Sequence, residues 1–249
     1  MLGDNNHYGH GTILRRYCGV ERALAIPGRM QHGWQPGCGL PVASMREPWP
    51  KFIWSARNLQ QCQDAGYRRI IPLGAPFLYL EQASPKPRSP QSLLVIPFHG
   101  WEKEKLHSEM GGMAASIGEL EARGFGPITV CLYYTEFADP EMRAVFEQRG
   151  YDVVTNGPRG DNPDFLLRQR DLLLSHAYVT SNRVSTAAFY ALSLGVKFFV
   201  HGPAMGLSGS DDPTGERFDT WQRETFPELT LERFGDRTNR ALGEVELGL

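Results

Sequence analysis

The segment best suited to chemistry is a run of small polar residues, 180–186 (TSNRVST), between a short apolar stretch and an apolar helical pattern. A helix that begins here leaves backbone N–H groups unpaired and carries partial positive charge, and both features bind phosphate. The hydroxyl groups of Ser181, Ser185 and Thr186 add donors. The same residue types are also common as ordinary helix caps. The position after a predicted strand favours the anion site, because ligands of open α/β sheets bind at the carboxyl ends of strands.

Histidine–glycine pairs are the second feature, and they contain four of the seven histidines: His10, His32, His99 and His201. His99 and His201 each end a predicted strand, so we expect their imidazoles at the edge of a sheet. Histidine transfers protons near neutral pH and contacts phosphate when charged. A structural hydrogen bond is the alternative for any single histidine, but we do not expect all four to be structural.

Other catalytic patterns have little support. Tyr8 and Gly9 separate His7 from His10 and indicate a loop, so these histidines do not form the helical pair of a metal site. The glycine patterns of dinucleotide-binding proteins, P-loop enzymes and α/β-hydrolases are absent. We therefore expect no metal and no bound cofactor.

Three carboxylates, Glu102, Glu104 and Glu136, follow predicted strands. They could contact a sugar hydroxyl or act as a base. A solvated charge at a helix N-terminus is the more common role of such residues.

The elements that must position these residues alternate between residues 92 and 201. We predict strands over 92–98, 128–134, 151–155, 177–180 and 196–201, and helices over 113–123, 140–149, 164–175 and 184–194. Short apolar strands alternating with helices predict a parallel, doubly wound sheet with right-handed crossovers. This pattern defines a fold class and says little about function.

The first part of the chain has a weaker pattern of the same kind. It predicts helices over 12–17 and 59–65 and strands over 23–26, 52–54 and 69–72. A Rossmann-like half normally opens on a buried strand, whereas this chain starts almost directly in a loop, residues 5–11. We therefore expect the leading strand to be missing or reduced. After residue 207, only short helices over 221–226 and 229–234 are predicted.

A polar stretch with prolines at positions 85, 87 and 90 divides the two parts. Such a stretch cannot be a helix interior or a central strand, and it behaves as a stiff linker. We predict an N-terminal half of residues 1–82, a linker of residues 83–91 and a C-terminal half of residues 92–249.

Composition narrows the class of protein. The 249 residues are 41% hydrophobic and carry a formal net charge of −2, which argues against a disordered chain and against a nucleic-acid partner. No apolar run approaches the roughly 18–20 residues that a membrane span needs. Four cysteines lie far apart with no Cys-x-x-Cys pattern, so we expect reduced thiols in a cytoplasmic protein.

Four segments resemble GT-B glycosyltransferases, and more narrowly bacterial surface-polysaccharide transferases and their relatives, the CDP-glycerol glycerophosphotransferases. The segments are 30–34 (MQHGW), 73–76 (LGAP), 94–100 (LVIPFHG) and 181–186 (SNRVST), the last with Leu194-Gly195 behind it. The likeness extends loosely over residues 5–203. It implies two Rossmann-like halves that face each other across a cleft.

The resemblance also implies roles for the histidines. His32 would be the general base on the acceptor hydroxyl, and His99 would lie near the donor diphosphate. His201 would be a weaker contact on the donor side. The acidic base of some sialyltransferase-like members has no clear match in this sequence.

The donor contacts implied by the resemblance lie in the second half. The residues that would hold donor phosphate or border the nucleobase are Ser181, Asn182, Ser185, Thr186, Asn156 and Gly157. The implied partners are a nucleotide-activated sugar as co-substrate and a glycan or glycolipid acceptor. The implied location is the cytoplasm, with peripheral contact at the inner face of the membrane.

Three functions remain open at this point. The first is metal-independent glycosyl transfer. The second is transfer of a polyol phosphate, or epimerisation of a nucleotide sugar, on the same fold. The third is a non-catalytic binding module that keeps the sheet and has lost the chemistry.

Overall fold

Apolar runs in the second half form a five-stranded parallel sheet in the computed structural model, which describes residues 5–20, 22, 24–84, 88–107, 110–160 and 162–249. The strands are β4 (Leu93–Val95), β5 (Ile128–Cys131), β6 (Asp152–Val154), β7 (Tyr178–Ser181) and β8 (Lys197–Val200). Their order across the sheet is β6-β5-β4-β7-β8. The order reverses between β4 and β7, where Leu93 pairs with Tyr178 and Val95 with Thr180. Such a reversal opens a crevice at the carboxyl ends of the two strands.

A smaller parallel sheet lies in the first half. It contains β1 (Arg29–Met30), β2 (Lys51–Ile53) and β3 (Ile70–Pro72), paired in chain order. The predicted class, α/β with parallel sheets, is confirmed. The two sheets fall on either side of the predicted linker. Residues 83, 84 and 88–91 form neither helix nor strand, and residues 85–87 lie outside the described part of the chain.

Helices precede the first strand, connect strands within both sheets and follow the last strand. They are α1 (His10–Tyr17), α2 (Ala56–Asp64), α3 (Met110–Ala122), α4 (Tyr134–Ala138), α5 (Pro140–Glu147), α6 (Phe165–Leu174), α7 (Thr186–Ser193), α8 (Glu216–Thr225) and α9 (Arg240–Leu247). The predicted start of α5 is confirmed, because the Asp139 side chain accepts hydrogen bonds from the amides of Glu141 and Met142. None of the helices within the described residues is long and apolar enough to span a membrane.

One hydrophobic cluster joins the two sheets. Trp54 and Phe77 of the first half belong to the same cluster as Tyr190 on α7 and Leu94 in the second sheet. The Phe77 and Tyr190 rings are stacked, with centroids 3.9 Å apart. The two halves therefore share a core, and α7 is the element at its centre.

The end of the chain differs from the prediction. Residues 229–234 do not form a helix: a short 3-10 turn covers Pro227–Leu229, and Thr230 forms a β-bridge with Val200. The helix that returns to the first half is α9, which the sequence analysis missed. It packs on α7 so closely that a Cβ on Gly243 would lie 2.6 Å from the Cβ of Leu192. The Leu247 carbonyl then accepts a hydrogen bond from the amide of Ala75 at 2.8 Å.

Two strand predictions also need correction. Residues 24–26 are not a strand, and Ala23 lies outside the described residues. The Asn5 side chain donates to the carbonyl of Ile26 at 2.8 Å, which occupies a group that a sheet would use, and pairing begins instead at Arg29. The strand predicted over 128–134 ends at Cys131, and Tyr134 begins α4. The expected absence of a leading strand concerns residues 1–4, which lie outside the described residues.

The prediction of four reduced thiols is wrong for one pair. Cys38 and Cys62 form a disulfide, with Cα atoms 4.8 Å apart. The loop after β1 folds over α2 and brings them together, a proximity that a sequence separation of 24 does not reveal. Cys18 and Cys131 are free.

Candidate functional site

A cavity of about 470 Å³ lies at the crevice predicted by the strand order. It is lined by the loops that follow β1, β4, β5, β6 and β7 and by residues of α6 and α7. Seven of the nine predicted site residues line it: His32, His99, Asn156, Gly157, Ser181, Ser185 and Thr186. The structure therefore brings residues of both halves to a single cavity.

The start of α7 offers donors to this cavity. Ser185 is the N-cap in extended conformation, and its hydroxyl does not cap the helix. Gln222 instead accepts a hydrogen bond from the amide of Val184 at 2.7 Å. No described residue accepts from the amides of Ser185, Thr186 or Ala187. Three N–H groups are thus available where the helix carries its partial positive charge.

Arg183 adds a full positive charge beside these amides. Its guanidinium lies between two aromatic rings, 4.3 Å from the Phe98 centroid and 3.7 Å from the Phe218 centroid. Desolvation lowers the pKa of Arg183 to about 10, with Asp212 partly opposing the shift. No carboxylate of the described residues lies within ion-pair distance of Arg183. The one hydrogen bond of its guanidinium to another described residue is from Nη1 to the carbonyl of Met205 at 3.4 Å, so this half-buried cation can bind an anion.

The loop after β1 carries His32 to the cavity. Gln31 fixes this loop: its side chain accepts from the amide of Trp54 at 3.0 Å and donates to the carbonyl of Gly33 at 3.0 Å. The residue after His32 is glycine, and the space there is small, because a Cβ on Gly33 would lie 2.8 Å from Thr186 Oγ1. The loop is therefore seated directly on the start of α7.

The His32 imidazole is neutral near pH 7. Desolvation by its surroundings, followed by the charges of His7, Arg159 and Arg29, lowers the pKa of His32 to about 4. The ring of His7 lies edge-on to that of His32, with centroids 4.5 Å apart. A neutral ring can accept a proton, and an anionic ligand beside it would raise its pKa.

His99 is held more firmly than His32. Its Nδ1–H donates to the carbonyl of Gly100 at 2.5 Å, and its ring stacks on Tyr133 with centroids 4.3 Å apart. Burial lowers the pKa of His99, while the bond to Gly100 and the charge of Glu136 oppose that shift. Glu136 accepts from the amide of Gly100 at 2.7 Å. With Nδ1 carrying the proton, the neutral ring keeps its lone pair on Nε2, for which no described residue is a partner.

Asn182 does not line the cavity. Its side chain is buried and joins three loops, accepting from the amide of Phe98 at 2.9 Å and donating to the carbonyl of Pro203 at 2.8 Å. It therefore positions the loops around the cavity rather than touching a ligand there.

His201 faces a different cavity, of about 350 Å³, on the α3 side of the sheet. Its Nε2 lies 3.1 Å from the carbonyl of Ser116 and 3.6 Å from Glu119. The structure does not bring it to the predicted donor site.

The sequence analysis missed Arg159, which lines the cavity from the loop after β6. Its guanidinium donates to Glu102 at 2.6 Å, and Glu102 also accepts from the hydroxyls of Tyr133 and Tyr134. The amide of Tyr8 donates to the Arg159 carbonyl at 2.7 Å and brings the start of the first half to this loop. The turn signal of residues 157–160 (GPRG) after a strand could have indicated it.

Two further lining residues carry buried polar atoms without partners among the described residues. They are Gln169 on α6, through Nε2, and Tyr190 on α7, through its hydroxyl. Both lie within predicted helices, and neither was among the predicted site residues. Within the described part of the chain, no three His, Cys, Asp or Glu side chains are grouped so as to hold a metal ion.

No protein-family model matches this chain. A search of curated proteins likewise found no match.

Proposed function

We propose that this chain is a glycosyltransferase that moves a sugar from a nucleotide-activated donor to a surface-polysaccharide or glycolipid acceptor. In this proposal the two sheets are the two halves of a GT-B-like enzyme, and the 470 Å³ cavity takes the donor. The observation that carries the proposal is the combination, in one cavity, of three available amides at α7 with Arg183 and with two histidines from other loops.

The leaving group is the first element of the mechanism. When the bond between the sugar C1 and the donor phosphate oxygen breaks, the electron pair stays on that oxygen and negative charge develops there. The Arg183 guanidinium, the α7 amides and the Ser185 and Thr186 hydroxyls are positioned to bind that charge. Preorganised donors of this kind lower the barrier because they need not reorient as the charge forms.

The acceptor is the second element. Its hydroxyl oxygen forms the new bond to C1 and loses its proton to a base. We assign that proton to His32, which is neutral, with His99 beside the diphosphate. Contact with the donor phosphates raises the pKa of His32 towards neutrality, which makes it a better base when the donor is present.

The proposal is tested by measuring whether the protein releases nucleotide from a panel of activated donors. The purified protein is incubated with UDP-, GDP-, CDP- and CMP-activated sugars and with CDP-glycerol, and released nucleotide is measured by chromatography, with and without EDTA. Release from a nucleotide sugar that EDTA does not reduce is the expected result. Release of CMP from CDP-glycerol instead identifies polyol-phosphate transfer, and a changed sugar without release identifies epimerisation.

Variants connect the result to the site. Arg183→Met should weaken donor binding by about tenfold to a hundredfold, as for loss of charge-assisted hydrogen bonds. His32→Ala should lower turnover with little change in binding. His107→Ala is the matched control, because His107 is exposed and outside the cavity. Binding of no phosphorylated ligand, or equal behaviour of the three variants, contradicts the proposal.

Location is a further part of the proposal. We propose a cytoplasmic protein with a peripheral membrane contact, supported by exposed apolar side chains of the first half, Tyr17, Val20 and Leu24. Sedimentation with anionic vesicles tests the contact. The Cys38–Cys62 disulfide gives the test of compartment, because cytoplasmic thiols are kept reduced. An alkylating reagent is added at the moment of lysis. It should label both Cys38 and Cys62 if the protein is cytoplasmic, and neither if the protein matures in an oxidising compartment.

A further inference from the structure

Two amide side chains at the wall of the cavity leave hydrogen-bonding groups unused. Asn156 follows β6 and Gln169 lies on α6, and both are more than nine-tenths buried. Asn156 Nδ2 donates to Gln169 Oε1 at 2.5 Å. We call these two residues the amide pair.

The amide pair is incompletely satisfied. Gln169 Nε2 donates to no described residue, and Asn156 Oδ1 accepts from none. Rotating both amides by 180° exchanges their nitrogen and oxygen atoms, and the pair still offers one donor and one acceptor. A buried donor left without a partner is costly, and native proteins rarely retain one without a reason.

The neighbours of the amide pair hold it in place. The Asn156 carbonyl accepts from Asn162 Nδ2 at 3.0 Å, and Asn156 Nδ2 also lies 3.8 Å from Cys131 Sγ. The next residue, Gly157, has a positive φ of 82°, which turns the chain away directly after Asn156. The pair is therefore fixed on a rigid wall at the ends of β5 and β6.

The amide pair lies some distance from Arg183 along the edge of the sheet. The phosphate donors follow β7, whereas the amide pair follows β6, and β4 and β5 lie between these strands. At about 4.8 Å between neighbouring strands, the two groups are separated by roughly 14 Å along the edge of the sheet. A ligand anchored by phosphate at α7 can reach the pair only with a part some distance from that phosphate.

We infer that the amide pair binds the donor–acceptor edge of a nucleobase, with Gln169 as a base-binding residue. This inference rests on the proposed function. The Watson–Crick edges of uracil, guanine, cytosine and adenine each place an N–H beside an acceptor atom in one plane, which complements one free donor and one free acceptor. Thus the nucleotide is bound by hydrogen bonds to its base and not by the phosphates alone.

The experiment separates the base from the phosphates. Titration calorimetry with the protein compares UDP, GDP, CDP and ADP with inorganic pyrophosphate. The nucleoside diphosphate that binds most tightly is then compared with its analogue methylated on the Watson–Crick edge, such as N3-methyl-UDP or N1-methyl-GDP. We expect the methylated analogue to bind about tenfold more weakly, as for loss of one or two buried hydrogen bonds.

A variant of Gln169 tests whether this side chain makes the contact with the base. Gln169→Leu should weaken binding of the natural nucleotide about tenfold, leave pyrophosphate binding unchanged, and remove the difference between natural and methylated nucleotides. Gln148→Leu is the control, because Gln148 is an exposed glutamine on another helix end. The wild-type comparison of the two ligands gives its answer even if Gln169→Leu does not fold.

The outcomes distinguish the inference from the function on which it rests. Equal binding of natural and methylated nucleotides by the wild type overturns the role of the amide pair, while diphosphate binding keeps the proposed function. A loss in Gln169→Leu that is equal for nucleotide and pyrophosphate also overturns it. Binding of none of the five ligands removes the proposed function together with this inference.

Discussion

The backbone amide of Trp34 donates a hydrogen bond to Thr186 Oγ1 at 2.8 Å, although 152 positions separate the two residues. This bond attaches the loop that carries His32 to the helix start that offers the amides. Because the hydroxyl oxygen accepts from Trp34, its hydrogen is still available to a ligand. Thr186 thus has a structural and a binding function at once.

Thr186→Val and Thr186→Ser separate these functions from simple loss of packing. Valine leaves the buried Trp34 amide unpaired, so we expect the free energy of unfolding to fall by about 1–2 kcal/mol and diphosphate binding to weaken. Serine keeps the hydroxyl and should retain binding close to that of wild type. Urea unfolding and calorimetry measure both quantities, and a valine variant that binds normally would contradict the assignment.

His10 should make the protein sensitive to acid. It is fully buried, neither ring nitrogen has a partner among the described residues, and burial followed by the charges of His32 and His7 lowers its pKa to about 3. The unfolded chain has the ordinary histidine pKa of about 6.5, so below that pH it binds a proton that the folded state does not. The stability supplied by neutral His10 is therefore complete above pH 6.5 and is lost as pH falls from 6.5 towards 3.

The corresponding variant is His10→Leu. Between pH 7 and pH 5 the wild type should lose about 2 kcal/mol more unfolding free energy than the variant does, at about 1.4 kcal/mol per pH unit below 6.5. Urea unfolding at the two pH values gives this difference. His107→Leu, at an exposed position, should retain the wild-type dependence. Identical pH dependence of wild type and His10→Leu would show that His10 does not have the lowered pKa.

Glu246 on α9 is expected to stabilise the contact between the halves. It is buried, accepts from Trp34 Nε1 at 2.5 Å and pairs with Arg57 at 2.6 Å. Glu246→Ala leaves Trp34 Nε1 unpaired and removes the carboxylate partner of Arg57, and we expect a loss of about 2–4 kcal/mol in unfolding free energy. Glu244→Ala, which removes an exposed pair with Arg240, should cost less than about 0.5 kcal/mol. Equal melting temperatures for the two variants would refute the role of Glu246.

The Cys38–Cys62 disulfide closes a loop over α2. Chain-entropy arguments for a loop of this length give about 3 kcal/mol of stabilisation, so the Cys38→Ala/Cys62→Ala variant should unfold at lower urea concentration than the oxidised protein. Dithiothreitol should lower the stability of the wild type and leave the double variant unchanged. Cys18→Ser, at a free and exposed cysteine, is the control.

The sequence was informative where a pattern is local. The alternation of apolar runs and helices predicts the second sheet, and the residue types of 181–186 and 32–34 indicate the segments that meet at the cavity. Helix starts with a clear cap, such as Asp139, are visible in the same way. α9 is missed because its N-cap, Asn239, lies in a left-handed conformation and makes no side-chain cap bond.

The sequence could not show contacts made over long separations. Arg159 reaches the cavity because its loop is held by Tyr8 and Glu102, and nothing near Arg159 in the sequence indicates either partner. The unpaired Nε2 of Gln169 becomes visible only once the structure places Asn156 beside its Oε1. Asn182 and His201 were predicted at the site because of their residue types and their positions after strands, yet neither lines the cavity. Asn182 bonds to a neighbouring loop, and His201 lines a different cavity.

The hydrophobic cluster from Trp54 through Tyr190 to Leu94 has a consequence for the passage of ligands. Separating the sheets would expose the stacked Phe77 and Tyr190 rings to water, so burial of these rings opposes that motion. Entry and exit therefore fall to motions smaller than a separation of the sheets, at the rim of the cavity. Exchange of small molecules should then follow the fast kinetics of loop motion rather than the slower opening of a hinge between domains.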